Sequence, residues 1–170
     1  MGQGLSFYAR RLIVEPEALR KEMVTPVLLW RAPAGAVEPE VLLTTEGGQF
    51  RAAPSSRDPL VLKITKAAKA QNAFAMGITV GRTESNDLVF VDNSVSRFHA
   101  YFQNDLKKGE WKLVDAESKY GTFIGPMKLP PSKPQTVPDG GTLRFGHIEV
   151  TFYLPESFLA FVKKATADAA

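Results

Sequence analysis

The stretch that decides the fold is Ile78-Thr79-Val80-Gly81-Arg82, followed by Asn86-Asp87-Leu88 and Ser96-Arg97-Phe98-His99-Ala100. A short β-branched run ends at a glycine and a cation. A polar loop then leads to the apolar run Leu88 to Val91, and a second loop rich in Asp, Asn and Ser leads to a strand over His99 to Gln103. Short apolar runs bounded by turn residues are the mark of strands. The pattern continues on both sides of this stretch. Leu60 to Thr65 places Leu60, Leu62 and Ile64 on one face, while Trp111 to Val114 and Thr122 to Ile124 are further short strands. Ile148 to Leu154 alternates most cleanly, with Ile148, Val150, Phe152 and Leu154 on one side and Glu149, Thr151 and Tyr153 on the other. Strands at this spacing predict an all-β sandwich or barrel.

Outside the strands the chain changes character. Residues 1–57 read as an N-terminal extension with a short helix over Glu15 to Met23, where Pro16 suits the first turn and Arg20 and Lys21 the last. Val27 to Trp30 and Val41 to Leu43 are expected strands, Gly47-Gly48 a turn, and Ala52 to Pro59 a linker. Pro155 to Ala167 is a terminal helix with the apolar stripe Phe158, Leu159 and Val162. The expected division is therefore an extension at 1–57, a β domain at 58–155, and a helix and tail at 156–170.

Composition narrows the function classes. The 170 residues contain no Cys, which excludes disulfides and thiolate chemistry and suits a reducing cytoplasm. No apolar window is long enough for a membrane helix, and Met1 to Val14 makes a poor secretory signal. Met1-Gly2-Gln3-Gly4-Leu5-Ser6 fits a myristoylation pattern, but one acyl chain anchors only weakly. A net charge of +3 permits an anionic ligand, yet the basic residues are scattered rather than gathered into the stripe of a nucleic-acid binder. Neither a nucleic-acid nor a membrane partner is expected. With only His99 and His147 and no Cys, a His- or Cys-rich metal cluster is excluded, and Ser96 with His99 lacks a third member for a catalytic triad. The reading is a non-enzyme with no cofactor and no metal.

Five stretches occur in order: Val80-Gly81-Arg82, Asn86-Asp87-Leu88, Ser96-Arg97-Phe98-His99-Ala100, Ser118-Lys119-Tyr120-Gly121-Thr122-Phe123, and Asp139-Gly140-Gly141-Thr142-Leu143-Arg144-Phe145-Gly146. This set resembles the forkhead-associated (FHA) family over roughly residues 58–155, and in particular its bacterial-type members. The resemblance implies a β-sandwich of two mainly antiparallel sheets that docks phosphothreonine-containing proteins. It also implies a role beside Ser/Thr protein kinases. By resemblance Arg82 orients and binds the phosphopeptide, Ser96 donates to the phosphate, and Arg97 is a basic phosphate contact. Gly81, His99 and Gly121 are architectural, the histidine bracing the loop that carries the serine. A phosphate of nearly two negative charges needs such cations and donors on loops of a rigid scaffold.

The chain departs from the family at Tyr120, where the usual residue is an Asn that hydrogen-bonds the peptide backbone. A phenol cannot reproduce a two-donor, one-acceptor amide. Lys119 adds a cation beside it. Two readings follow: a phosphothreonine-dependent adaptor in kinase signalling, or a structural FHA module that has lost phosphopeptide binding. Some bacterial members also carry a Thr-Thr segment ahead of the domain that folds back once phosphorylated. Thr44-Thr45-Glu46 offers such a pair, although a plain strand ending at Gly47-Gly48 accounts for it better.

Overall fold

The structure is a computed structural model that describes residues 2–33, 54–55, 57–67 and 74–169. The expected strand at Val41 to Leu43, the turn at Gly47-Gly48 and the Thr44-Thr45 pair lie outside these residues, as do positions 52, 53 and 56 of the expected linker. The chain divides into two compact units, one made of Met1–Lys63 with Tyr153–Ala170 and the other of Ile64–Phe152.

The first unit holds β1 (Gln3–Gly4), α1 (Leu5–Val14), α2 (Pro16–Glu22), β2 (Val27–Trp30), β3 (Leu60–Lys63) and the terminal helix α3 (Pro155–Asp168). Its strands run in the order β1-β3-β2, both pairs antiparallel. Helix α1 was not expected from the sequence. It has no side-chain cap of its own at Gly4. Instead the Asp58 carboxylate, 52 residues away, accepts the Ser6 N–H at 2.9 Å and the Ser6 hydroxyl at 2.6 Å, satisfying donors that a helix start leaves open. The helix stops at Glu15 because the residue before a proline is pushed out of the helical region, and Pro16 opens α2. Tyr8, Leu19, Met23, Val27, Leu29, Val61, Phe158 and Val162 form this unit's core. Phe158 and Val162 are one helical turn apart on α3, so both face inward, and Phe158 meets Tyr8 edge-on at 5.4 Å. Full burial of side chains this size stabilises by about 1.5–3 kcal/mol each.

The second unit is a β-sandwich of two mainly antiparallel sheets, as expected. In chain order its strands are β4 (Ile78–Gly81), β5 (Leu88–Val89), β6 (Ala100–Asp105), β7 (Glu110–Asp115), β8 (Thr122–Ile124), β9 (Met127–Lys128), β10 (Gln135–Thr136), β11 (Thr142–Phe145) and β12 (Ile148–Tyr153). One sheet carries the order β12-β11-β8-β9 and the other β10-β7-β6-β4-β5. The β4–β5 pair is parallel, with Val80 opposite Leu88. Between the sheets lies an aromatic core in which Phe102 sits 6.3 Å from both Phe145 and Phe152, and Phe90 stacks on Phe145 at 5.7 Å. The sequence had not announced β9, β10 or β11. The first two are two-residue strands separated by prolines 130, 131 and 134. In β11 Leu143 and Phe145 are buried while the Arg144 guanidinium covers the Phe123 ring at 3.7 Å; an alternation this short, next to Gly140-Gly141, does not stand out in the sequence.

Candidate functional site

The site is built at one end of the sandwich by the loops after β4, before β6 and before β8. Strand β4 ends at Gly81, where a Cβ would lie 2.1 Å from the Arg97 carbonyl and 2.4 Å from the Asn86 side chain. Only glycine permits this approach. It lets the Asn86 amide donate to the Arg97 carbonyl at 2.6 Å and to the Thr83 carbonyl at 3.0 Å. The next residue, Arg82, donates its backbone N–H to the Ser96 carbonyl at 3.0 Å. The loop carrying Arg82 is therefore stitched to the loop carrying Ser96 and Arg97.

The second loop is held from within. Asp92 accepts the Ser94 N–H at 2.8 Å and the Ser94 hydroxyl at 2.5 Å, and the Ser94 hydroxyl in turn accepts the His147 N–H at 2.8 Å. The Ser94 hydroxyl is the chief reason the Asp92 carboxyl is held below its usual range. Val95 is buried and anchors the loop to the core. At the loop's end the Ser96 N–H donates to Nδ1 of His99 at 3.0 Å, while Nε2 lies 2.9 Å from the Gly121 carbonyl. A carbonyl only accepts, so Nε2 carries the proton and Nδ1 is bare. Burial pushes the His99 pKa down, favouring this neutral form.

The third loop meets the others at the same point. Asp115 is buried and gathers the Ser118 hydroxyl, the Ser118 N–H at 3.2 Å and the Thr122 hydroxyl at 2.7 Å. Gly121 has φ +89, a left-handed conformation that favours glycine, and its carbonyl also accepts the Gly146 N–H at 3.0 Å. The Lys119 N–H donates to Oγ of Ser96 at 3.1 Å. With Oγ accepting that bond, the Ser96 hydroxyl keeps its proton for another partner.

These loops enclose a groove of about 430 Å³ lined by Arg82, Ser96, Arg97, Lys119 and Tyr120, together with Asn93, Ser94, Val95 and Phe98. All the binding residues expected from the sequence thus come to one place, while Gly81, His99 and Gly121 lie among the hydrogen bonds behind it. Among the described residues neither Arg82, Arg97 nor Lys119 forms an ion pair. The Lys119 ammonium lies 5.4 Å from the Tyr120 ring centroid, and the His147 ring lies 6.0 Å from it on centroids. Tyr120 is 48% exposed and Phe98 40% exposed, so the groove pairs cations with aromatic surface. Asn93 and Phe98 were not singled out by sequence. The only signals were a loop rich in Asp, Asn and Ser and an aromatic inside the Ser-Arg-x-His motif. No group of three or more His, Cys, Asp or Glu residues able to hold a metal occurs among the described residues, and no described helix is long and apolar enough to cross a membrane.

Residues 78–146 match the FHA domain family model, and the chain carries an FHA domain there. That family comprises protein-interaction modules that recognise phosphothreonine, not enzymes. The chain is similar to germ layers disorganized gldi-3 of Caenorhabditis elegans, 32% identical over 81 residues that cover 42% of this chain and 8% of that protein. It is also similar to the human nuclear inhibitor of protein phosphatase 1, 39% identical over 62 residues that cover 35% of this chain and 17% of that protein. The chain thus spans less than a fifth of the length of these curated relatives. Among solved structures it is similar to the FHA domain of an Arabidopsis thaliana hypothetical protein, with TM-score 0.47, 22% identity, and coverage of 78% of this chain and 88% of that one. The kinase-interacting FHA domain of the Arabidopsis kinase associated protein phosphatase gives TM-score 0.47 and 18% identity, covering 76% and 93%.

Proposed function

We propose that the groove binds a phosphothreonine-containing segment of a partner protein, with Arg82, Ser96, Arg97 and Lys119 holding the phosphate. The observation that carries this reading is the convergence on one groove of cations with no ion-pair partner among the described residues and a serine hydroxyl with its proton unspent. Charge-assisted hydrogen bonds from such groups contribute about 1.5–3 kcal/mol each, and anion recognition by Arg clusters is a recurrent way of reading phosphorylated peptides. The finer reading is a cytoplasmic adaptor in Ser/Thr kinase signalling, of bacterial type, whose partners are phosphoproteins and the kinase itself rather than nucleic acid or membrane. Its domain reaches over residues 58–155, flanked by the extension at 1–57 and the helix and tail at 156–170.

Titration with a phosphothreonine peptide library against unphosphorylated controls tests the reading. Arg82→Ala is expected to weaken phosphopeptide binding by roughly tenfold to a hundredfold while leaving the thermal transition in place. Equal affinity for phosphorylated and unphosphorylated peptides would sink it. The second reading, an FHA module that no longer binds phosphopeptides, draws on Tyr120, whose half-exposed ring occupies the groove wall. That equal-affinity outcome is what this second reading expects.

A further inference from the structure

We infer that the Asn93 carboxamide grips the main chain of the bound peptide, supplying the separate N–H donors and carbonyl acceptor that the single hydroxyl of Tyr120 does not. The inference rests on the phosphopeptide reading of the groove. A peptide lying there brings backbone N–H and C=O groups with it, and each one that loses water must find a partner. The cations Arg82, Arg97 and Lys119 only donate, so they serve the phosphate and carbonyls but never a peptide N–H. Acceptors are scarce in the groove wall. The Ser96 hydroxyl already accepts from the Lys119 N–H and keeps its proton for the phosphate. The Ser94 hydroxyl is consumed by Asp92 and the His147 N–H. Tyr120 offers one oxygen at the end of a ring fixed beside Lys119 and His147.

Asn93 is the carboxamide among the residues lining the groove. It is exposed, and its side chain makes no hydrogen bond to another described residue. It can give an N–H to a peptide carbonyl while its own oxygen accepts a peptide N–H. Its backbone is also fixed in advance. Asp92 donates its N–H to the Phe90 carbonyl at 3.0 Å, its carbonyl accepts the Val95 N–H at 3.0 Å, and its side chain accepts the Ser94 N–H at 2.8 Å. The loop is thus rigid on both sides of a side chain that is free to engage, which lowers the ordering cost of binding.

The test compares two probes on the full chain: a phosphothreonine peptide and free phosphothreonine, which lacks neighbouring peptide units. Asn93→Ala is expected to weaken the phosphopeptide about tenfold and to leave free phosphothreonine unchanged. Asn93→Gln, which keeps the carboxamide, is expected to recover part of the loss. An unchanged thermal transition in both variants shows the loop intact. Unaltered peptide affinity in Asn93→Ala overturns the inference while phosphate binding stands. An equal loss for both probes also overturns it, since Asn93 would then act on the phosphate. Failure of the unsubstituted chain to prefer phosphorylated peptide overturns the reading of the groove and this inference together.

Discussion

His99 joins the serine loop to the Gly121 loop with one proton, donated from Nε2, and one bare nitrogen, Nδ1, which receives the Ser96 N–H. A second proton on the ring would fall on Nδ1 and abolish that acceptor. Burial opposes it, so the folded pKa lies below the usual value of about 6.5. In the unfolded chain His99 titrates near that usual value. The His99 contribution to stability is therefore fully present above about pH 6.5 and is lost as pH falls through the folded pKa. Urea unfolding at pH 7.5, 6.5 and 5.5 is expected to show the unsubstituted chain losing more stability than His99→Gln, which cannot titrate there. Identical losses in the two proteins would refute the assignment. Asp92 has the same sign but acts lower, as its carboxyl is depressed below the ordinary acidic range. At this scale much of the candidate site was legible. Arg82 and Ser96 sit in short ordered motifs whose residue types suit an anion. Asn93 was not legible, because its interest arises only when folding brings it into one groove with Tyr120.

Elements were legible where their signals are local and lost where support comes from afar. Strand β12 could be read from its alternation and α3 from Pro155 and its apolar stripe, since those cues lie within the element. Helix α1 could not. Its run Leu5–Val14 mixes aromatic and β-branched residues with arginines, and its cap arrives from Asp58. Removing that cap is the direct test. Asp58→Ala is expected to destabilise the first unit by about 1 kcal/mol, within the usual 0.5–2 kcal/mol of a lost helix cap. Ser6→Ala keeps the bond from the backbone N–H and should cost less. Urea midpoints followed by circular dichroism measure both; an unchanged midpoint in Asp58→Ala would show that solvent caps α1 just as well. The two-residue strands β9 and β10 escaped notice because of their length. β10 pairs with β7 through tertiary hydrogen bonds such as Val137 N–H to the Trp111 carbonyl, β9 closes a hairpin on β8 with Ile124 opposite Met127, and two residues carry no period of their own.

For the whole molecule, the excess charge of +3 is mild, but its placement matters more than its size. Arg82, Arg97 and Lys119 meet in one open groove without a carboxylate partner among the described residues. Exposed charges are screened over about 10 Å at 0.1 M salt and about 3 Å at 1 M. On the proposed reading, direct contacts of a phosphate with Arg82 or Ser96 are short and would survive screening in part, whereas the pull of the more exposed Lys119 would not. Phosphopeptide affinity is thus expected to fall as salt rises from 0.05 to 1 M. The fall should be smaller in Lys119→Ala, which begins weaker and has less long-range attraction to lose. The two effects separate kinetically, since steering acts on the association rate. Stopped-flow association at both salt concentrations should show the rate dropping with salt in the unsubstituted chain and less so in the variant. A rate independent of salt would mean that the groove's cations act by contact alone, and a salt dependence untouched by Lys119→Ala would place the steering charge elsewhere on the surface.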